Sequence, residues 1–148
     1  MPGYRTHLMG GVLAYGFTLW LLKDSCNSLL LAAQWLLFAL AGALFPDVDT
    51  KSKGQKMLYQ ILFIILVILA LERKFFAMGV ISILSLIPLI VRHRGLFHNF
   101  WFVLGLPAVV ALLLSWYAPT HTRLILLSAV FFTVGGISHL FLDFVVKR

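Results

Sequence analysis

The chain has 148 residues, of which 61% are hydrophobic and 11% are charged, and its mean hydropathy is +1.00. Soluble domains are about half apolar and a quarter charged, so this composition excludes an ordinary water-soluble domain and predicts lipid around the outer face. The net charge of +7 comes from basic residues at the ends of apolar runs. That placement favours contact with lipid headgroups over nucleic-acid binding.

Six apolar runs follow one another and predict transmembrane helices. They are 8–22, 29–45, 57–71, 75–91, 99–117 and 124–146. A spanning helix needs roughly 17–25 apolar residues, a length that the last three runs reach and that the first and third approach with their flanking residues. The alternating pattern of a transmembrane barrel is not seen in the sequence. We therefore expect residues 1–148 to form one all-α, polytopic membrane bundle with about six transmembrane helices.

The distribution of Lys and Arg predicts the orientation of this bundle. If all six runs cross and the N-terminus is cytoplasmic, the cytoplasmic side carries Arg5, Lys51, Lys53, Lys56, Arg92, Arg94, Lys147 and Arg148. The opposite side carries Lys23, Arg73, Lys74 and Arg123. This excess has the direction of the positive-inside rule, so both termini are expected in the cytoplasm.

Seven ionisable side chains lie at the ends of the predicted spans, where a charge is costly and by default indicates function. They belong to four separate segments, and in the predicted topology all of them fall on the cytoplasmic side. They are His7, Asp47, Asp49, His93, His98, His139 and Asp143. Because Lys and Arg set the topology independently of these residues, their common location predicts a shared site.

The types and spacing of these residues favour a metal site. His139 and Asp143 are four residues apart, so on a helix they share one face and can hold one ion. Gly95 permits a tight turn between His93 and His98, which lets both rings point the same way. Imidazole with carboxylate suits a divalent transition metal, and zinc or manganese is expected. Seven candidates exceed the ligands of one zinc, so we expect one or two ions, with some residues orienting the ligands.

Glycines lie near the same helix ends and predict that the helices approach closely there. Each lies within about a turn or two of a ligand candidate. They are Gly10, Gly11, Gly42, Gly135 and Gly136. The four segments are therefore expected to converge.

Each candidate also has an explanation that involves no site. Asp47 and Asp49 suit a turn balanced by nearby lysines, and Asp143 can pair with a lysine one helical turn later. Arg92 and Arg94 either anchor a helix end at headgroups or bind a substrate phosphate through bidentate hydrogen bonds. Ionisable residues with unrelated structural roles would be distributed over both membrane faces. Their common location on one side therefore favours a site.

Four motifs in this order resemble the YdjM-type family: a histidine near the start, "FPDVDTKSKGQ", "RHRGLFHNF" and "SHLFLD". Its members are described as LexA-binding, inner-membrane-associated predicted hydrolases, or as membrane-bound metal-dependent hydrolases. The resemblance spans the chain from His7 to Asp143. It implies a multi-pass protein of the bacterial inner membrane with a metal site at the seven residues above. Many members continue the acidic motif with a histidine, where this chain has Thr50.

These observations lead us to expect a membrane-bound, metal-dependent hydrolase whose site lies at the cytoplasmic interface. Metal-activated water would cleave a lipid or lipid-linked phosphoester or ester, with Asp49 or Asp143 as the general base. The alternative is a non-enzymatic scaffold with a structural metal that recruits a partner. Transport fits less well, because transport sites usually lie near the bilayer midplane. The expected partners are membrane lipid and the substrate, not nucleic acid, and the sequence identifies no protein partner.

Overall fold

The computed structural model describes residues 3–48, 52–90 and 96–146, apart from the side chains at positions 77, 80, 84, 87 and 88. The α-helices in chain order are α1 (Tyr4–Leu21), α2 (Leu29–Leu44), α3 (Lys53–Leu71), α4 (Phe75–Leu84), α5 (Ile87–Ile90), α6 (Phe100–Tyr117) and α7 (Thr122–Val146). Short 3-10 helices occupy Lys23–Ser25, Phe45–Asp47, Leu96–His98 and Pro119–His121. No strand occurs within these described ranges, so the predicted all-α fold is confirmed.

Four helical stretches of the described chain are long and apolar enough to cross a membrane. They are Leu29–Asp47, Lys53–Leu71, Phe100–Tyr117 and Pro119–Val146. Helix α1 has 18 residues but is not among these four stretches. The helical bundle is as predicted, whereas the predicted count of six crossings is not confirmed.

The fourth apolar run forms two helices instead of one continuous span. α4 has 10 residues and α5 has 4, with a turn between them at Ser85 and Leu86. Pro88 accounts for the break, because it has no N–H to bond the carbonyl of Leu84. The turn is joined to α3 by the Tyr59 hydroxyl, which donates to the Ser85 carbonyl at 2.7 Å.

Helix α7 is central and packs against α1, α2 and α6. Its approach to α2 is so close that a Cβ added at Gly42 would overlap the carbonyl of Phe132, and one added at Gly135 would overlap the carbonyl of Ala39. These obstacles are backbone atoms, which cannot rotate away as side chains do. The predicted close approach at glycines is therefore confirmed, and it fixes the register between α2 and α7.

A small aromatic core holds α2 and α7 together away from the ionisable residues. Trp35 and Phe131 are fully buried and stack with ring centroids 5.0 Å apart, and buried Ala39 lies beside them. In contrast, Gly54 is the one buried residue that the described part of α3 contributes. The best-packed part of the bundle is thus α1, α2, α6 and α7, the four helices that carry or adjoin the candidate site.

Candidate metal centre

Five of the seven predicted ligands meet at one end of the bundle. His7 lies in the first turn of α1, Asp47 in the 3-10 helix after α2, and His98 in the 3-10 helix before α6. His139 and Asp143 lie one turn apart in α7. These five residues are called the metal cluster below. The remaining site candidates fall outside the described residues: Asp49, Arg92, His93 and Arg94.

Four atoms of the metal cluster form a closed ring of nitrogen and oxygen. His98 Nε2 lies 3.6 Å from Asp47 Oδ1 and 3.6 Å from Asp143 Oδ2. His139 Nε2 lies 3.7 Å from Asp47 Oδ1 and 3.9 Å from Asp143 Oδ2. All four separations exceed the length of a hydrogen bond, about 2.7–3.2 Å. Ligand atoms on a tetrahedral zinc are about 3.3 Å apart, since the bonds are about 2.0–2.1 Å long. Each of the four separations is therefore slightly longer than that between two ligand atoms of a zinc ion. Three of the residues, Asp47, His98 and His139, have ligand atoms that all lie within 4.8 Å of one another, a spacing that could hold a metal ion.

The backbone places a proton on Nδ1 of His139. Its Nδ1 donates a hydrogen bond to the Ala43 carbonyl at 2.7 Å, since a carbonyl can only accept. The neutral ring consequently presents a lone pair at Nε2, the atom that belongs to the ring of ligands. His139 is fully buried, and its Nε2 has no hydrogen-bond partner among the described residues. A histidine that donates from one nitrogen to a carbonyl and points the other at a metal is a common ligand arrangement.

His7 lies beside the ring of ligands instead of within it. Its imidazole stacks on that of His139, with centroids 3.7 Å apart and an interplanar angle of 14°. His7 Nε2 is 3.6 Å from Asp143 Oδ1, the carboxylate oxygen that is not part of the ring. His7, His139 and Asp143 thus make a second group of three with ligand atoms within 4.8 Å of one another. His139 belongs to both groups, and Asp143 Oδ2 lies 3.6 and 3.9 Å from Nε2 of His98 and His139.

The charges of the metal cluster also favour a divalent cation. Asp47 and Asp143 carry two negative charges at a site where His7, His139 and Asp143 are buried. Burying a carboxylate is costly unless a cation or several hydrogen bonds compensate it. One divalent ion would balance both carboxylates. The residues present therefore fit the metal predicted from the sequence.

Aromatic packing holds the segment that carries His98. Phe97 is buried, with its ring centroid 5.3 Å from that of Phe45 and 5.4 Å from that of Phe102, in edge-on contacts. The side chain of Asn99 accepts a hydrogen bond at 2.9 Å from a backbone N–H in the first turn of α6. His98 thus lies between buried Phe97 and Asn99, the residue that caps α6. Both neighbours hold the segment in place directly before this apolar helix.

The turn that carries Asp47 is held in a similar way. The Ser52 hydroxyl donates to the Asp47 carbonyl at 2.8 Å, and its oxygen accepts from the Gln55 N–H at 3.1 Å, which caps α3. Neither Ser52 nor the Ala43 carbonyl was predicted from the sequence. A serine before an apolar helix is a recognisable cap signal, but a backbone carbonyl that orients a histidine 96 residues later leaves no mark in the sequence.

A groove of about 530 Å³ begins at the metal cluster, where His98 and Asp143 form its polar end. Its other walls are side chains from the start of α6 and the end of α7. They are Phe100, Ile137, Leu140, Phe141 and Phe144. An apolar chain lying in this groove would bring an attached polar group next to the ring of ligands.

Comparison with curated proteins and with solved structures gives no match. One family model matches residues 1–148, the whole chain, and it is described as the YdjM inner membrane protein. The matched region includes all four segments that contribute to the metal cluster, together with the four helices long and apolar enough to cross a membrane. This chain therefore belongs to the YdjM inner membrane protein family.

Proposed function

We propose that the protein is a membrane-embedded, metal-dependent hydrolase that cleaves a lipid or lipid-linked phosphoester or ester. The observation that supports this best is the apolar groove, which shares His98 and Asp143 with the ring of ligand atoms. A purely structural metal site needs no opening toward an apolar groove. In the predicted topology the metal cluster faces the cytoplasmic interface of the inner membrane, where lipid headgroups are within reach.

In this proposal Asp47, His98, His139 and Asp143 hold one divalent ion, zinc or manganese. The bound ion would supply Lewis acidity that activates water and stabilises negative charge on the substrate. Asp143 Oδ1 faces His7 Nε2 at 3.6 Å, so a proton taken up at that oxygen could pass to the imidazole once the two side chains close to hydrogen-bond distance in the substrate complex. Asp143 is thus the described carboxylate best placed to act as the general base, and His7 is its proton acceptor. Asp49, the other predicted base, lies outside the described residues.

The groove supports an apolar substrate chain. Three phenylalanines, Phe100, Phe141 and Phe144, line it together with aliphatic side chains. A chain in the groove would leave its headgroup at His98 and Asp143. The proposed phosphate clamp, Arg92 and Arg94, precedes His98 by a few residues and remains a proposal based on the sequence.

The alternative function is a scaffold with a structural metal. It is favoured by the similar separations within the ring, 3.6 to 3.9 Å, because four protein ligands around one zinc leave no position for water. In that case the metal would pin four segments together, and the groove would be an ordinary contact with lipid.

The test is hydrolysis by the purified, metal-replete protein in mixed micelles with a panel of phospholipids and isoprenoid phosphates. We expect release of the headgroup or phosphate, loss of activity with a chelator, and recovery when metal is returned.

His7→Phe keeps a stacking ring but cannot take up a proton, so it should lower kcat about 100-fold while metal content is unchanged. The matched control is His121→Phe, at an exposed histidine directly before the start of α7. Full metal occupancy without turnover of any substrate would favour the scaffold.

A further inference from the structure

A group of basic and aromatic side chains lies where the first turns of α1 and α3 meet. Lys53 Nζ, from α3, lies 4.0 Å from the centroid of the Tyr4 ring, and Arg5 Cζ lies 6.0 Å from the same centroid. Arg5 Nε also donates a hydrogen bond to the Tyr4 hydroxyl at 3.3 Å. Two cations from different helices are thus gathered around one phenol. These three residues are called the basic cluster below.

Backbone contacts fix the position of Lys53. The residue before it, Ser52, donates a hydrogen bond to the Asp47 carbonyl at 2.8 Å, and the residue after it, Gly54, is buried. A Cβ added at Gly54 would lie 2.8 Å from the Leu44 carbonyl oxygen, so α3 begins in tight contact with the end of α2. Because Asp47 belongs to the metal cluster, the basic cluster lies at the same end of the bundle.

The positive charges of the basic cluster are not balanced by the described residues. Arg5 and Lys53 form no ion pair with a carboxylate of that part of the chain, whereas Lys74 pairs with Glu72 at 2.7 Å. Both cations are exposed and lie within 6.0 Å of the Tyr4 centroid. Their separation therefore cannot exceed the Debye length of about 10 Å at 0.1 M salt, and they repel each other. An anion in contact with both would offset this repulsion.

The two helix ends favour an anion as well. α1 and α3 both begin at the basic cluster, so the positive ends of both helix dipoles lie there. Their first turns, 4–7 and 53–56, contain no acidic residue that would neutralise these ends.

The hydrogen-bond donors of the basic cluster suit a phosphate group. The Tyr4 hydroxyl accepts from Arg5 Nε and so keeps its own proton to donate. The Arg5 guanidinium has four further N–H donors, and the Lys53 ammonium has three. Phosphate oxygens are strong acceptors for guanidinium and ammonium groups, and such charge-assisted bonds are about twice as strong as neutral ones.

We propose that Tyr4, Arg5 and Lys53 bind a phosphate group, carried either by an anionic lipid headgroup or by a soluble phosphate. In the predicted topology the basic cluster faces the cytoplasmic interface, where both sources are within reach. The proposal does not depend on the proposed hydrolase, because none of these residues belongs to the metal cluster or lines its groove.

The experiment measures binding by the purified full chain in dodecyl maltoside micelles, with dissociation constants obtained by microscale thermophoresis. One arm adds phosphatidylglycerol to the micelles, a second adds diacylglycerol, which lacks the phosphate, and a third adds inorganic phosphate. We expect saturable binding of phosphatidylglycerol, inorganic phosphate or both, and none of diacylglycerol. Binding of phosphatidylglycerol alone assigns the site to a lipid headgroup, and binding of inorganic phosphate assigns it to a soluble phosphate.

Variants of the basic cluster locate the bound phosphate. Arg5→Gln and Lys53→Gln each remove a charge-assisted hydrogen bond, so each should raise the Kd about tenfold or more. Tyr4→Phe keeps the ring but loses the hydroxyl and should raise it roughly two- to tenfold. The matched control is Lys56→Gln, at an exposed lysine one turn later on α3 that does not contact the Tyr4 ring. It should change the Kd less than about threefold.

Two outcomes would overturn the proposal. Equal losses of binding in Lys53→Gln and Lys56→Gln would indicate a general attraction of anions to a positive surface. Absence of binding in both phosphate arms would show that the basic cluster is a packing contact between α1 and α3. Thermal unfolding in the same detergent, measured for every variant, separates a loss of binding from a loss of fold.

Discussion

His139 is the residue on which the contacts of the metal cluster converge. Its Nδ1 is bonded to the Ala43 carbonyl, its Nε2 faces Asp47 and Asp143, and its ring face is covered by His7. A histidine that served packing alone would be expected to satisfy both nitrogens, since an unpaired buried nitrogen is costly. The Nε2 atom of His139 is fully buried, faces two carboxylates and has no hydrogen-bond partner among the described residues. This is the arrangement expected of a histidine that could bind a metal ion through Nε2.

His139→Ala should therefore abolish metal binding. The substitution removes one ligand and also uncouples the metal cluster from α2, so we expect metal content to fall at least tenfold. Metal per protein can be measured by inductively coupled plasma mass spectrometry after purification without added metal. His121→Ala, at an exposed histidine, is the matched control and should keep its metal. Wild-type protein without metal, or His139→Ala with a full complement, would contradict the assignment.

The sequence allowed part of the metal cluster to be predicted at the scale of residues. The four-residue spacing of His139 and Asp143 placed both on one helix face, and in the structure their ligand atoms lie 3.9 Å apart. His7 could not be distinguished from the other candidates, because its position beside the ring depends on how α1 packs on α7. Long-range packing of this kind leaves no periodic signal in the sequence.

At the scale of elements, the contact between α2 and α7 sets the geometry of the metal cluster. Gly135 lies one turn before His139, and the carbonyl of Ala39 lies one turn before that of Ala43. The two helices run in the same direction, so the close approach at Gly135 continues as the hydrogen bond from His139 to Ala43. Separating the two helices at Gly135 should therefore also lengthen the hydrogen bond from His139 to the Ala43 carbonyl.

Gly135→Ala tests this coupling. The added methyl group would overlap the Ala39 carbonyl, so we expect a loss of about 1–3 kcal/mol in the free energy of unfolding and weaker metal binding. Thermal unfolding in detergent and metal titration measure the two effects. Gly16→Ala is the matched control, because a Cβ there meets nothing within 4 Å, and it should keep or slightly raise stability. Unchanged metal affinity in a destabilised Gly135→Ala would separate the helix contact from the metal cluster.

The break between α4 and α5 shows what an apolar run cannot reveal. Hydropathy is nearly uniform from 75 to 91, so the run resembles one span. The interruption at Ser85 comes from backbone chemistry at Pro88, which contributes little to hydropathy. Pro107 lies inside α6 without ending it, so proline alone does not identify the break. The existence of the helices was predictable, whereas the continuity of this one was not.

At the scale of the whole molecule, the metal cluster constrains the path of the chain. α1 begins at the cluster and α2 ends at it, while α6 begins there and α7 ends there. α3 starts close to Asp47 and extends for about 28 Å, so residues 72–95 must return by a similar distance for His98 to meet Asp47. This path is compatible with the predicted six crossings, which stay a prediction because α1 and α4 are not among the four helical stretches of the described chain that are long and apolar enough to cross.

The count of crossings has a direct test in single-cysteine labelling. In a Cys26→Ser background, six crossings place Glu72→Cys and Arg5→Cys on opposite sides of the membrane. If α1 does not cross, the two positions lie on the same side, because only the crossings of α2 and α3 then separate them. A membrane-impermeant maleimide added to spheroplasts should label Glu72→Cys at once, and Arg5→Cys only after the membrane is permeabilised. Both positions are exposed, so accessibility of the side chain itself does not limit the reaction. Equal labelling of the two variants before permeabilisation would rule out six crossings and would leave α1 at the membrane surface.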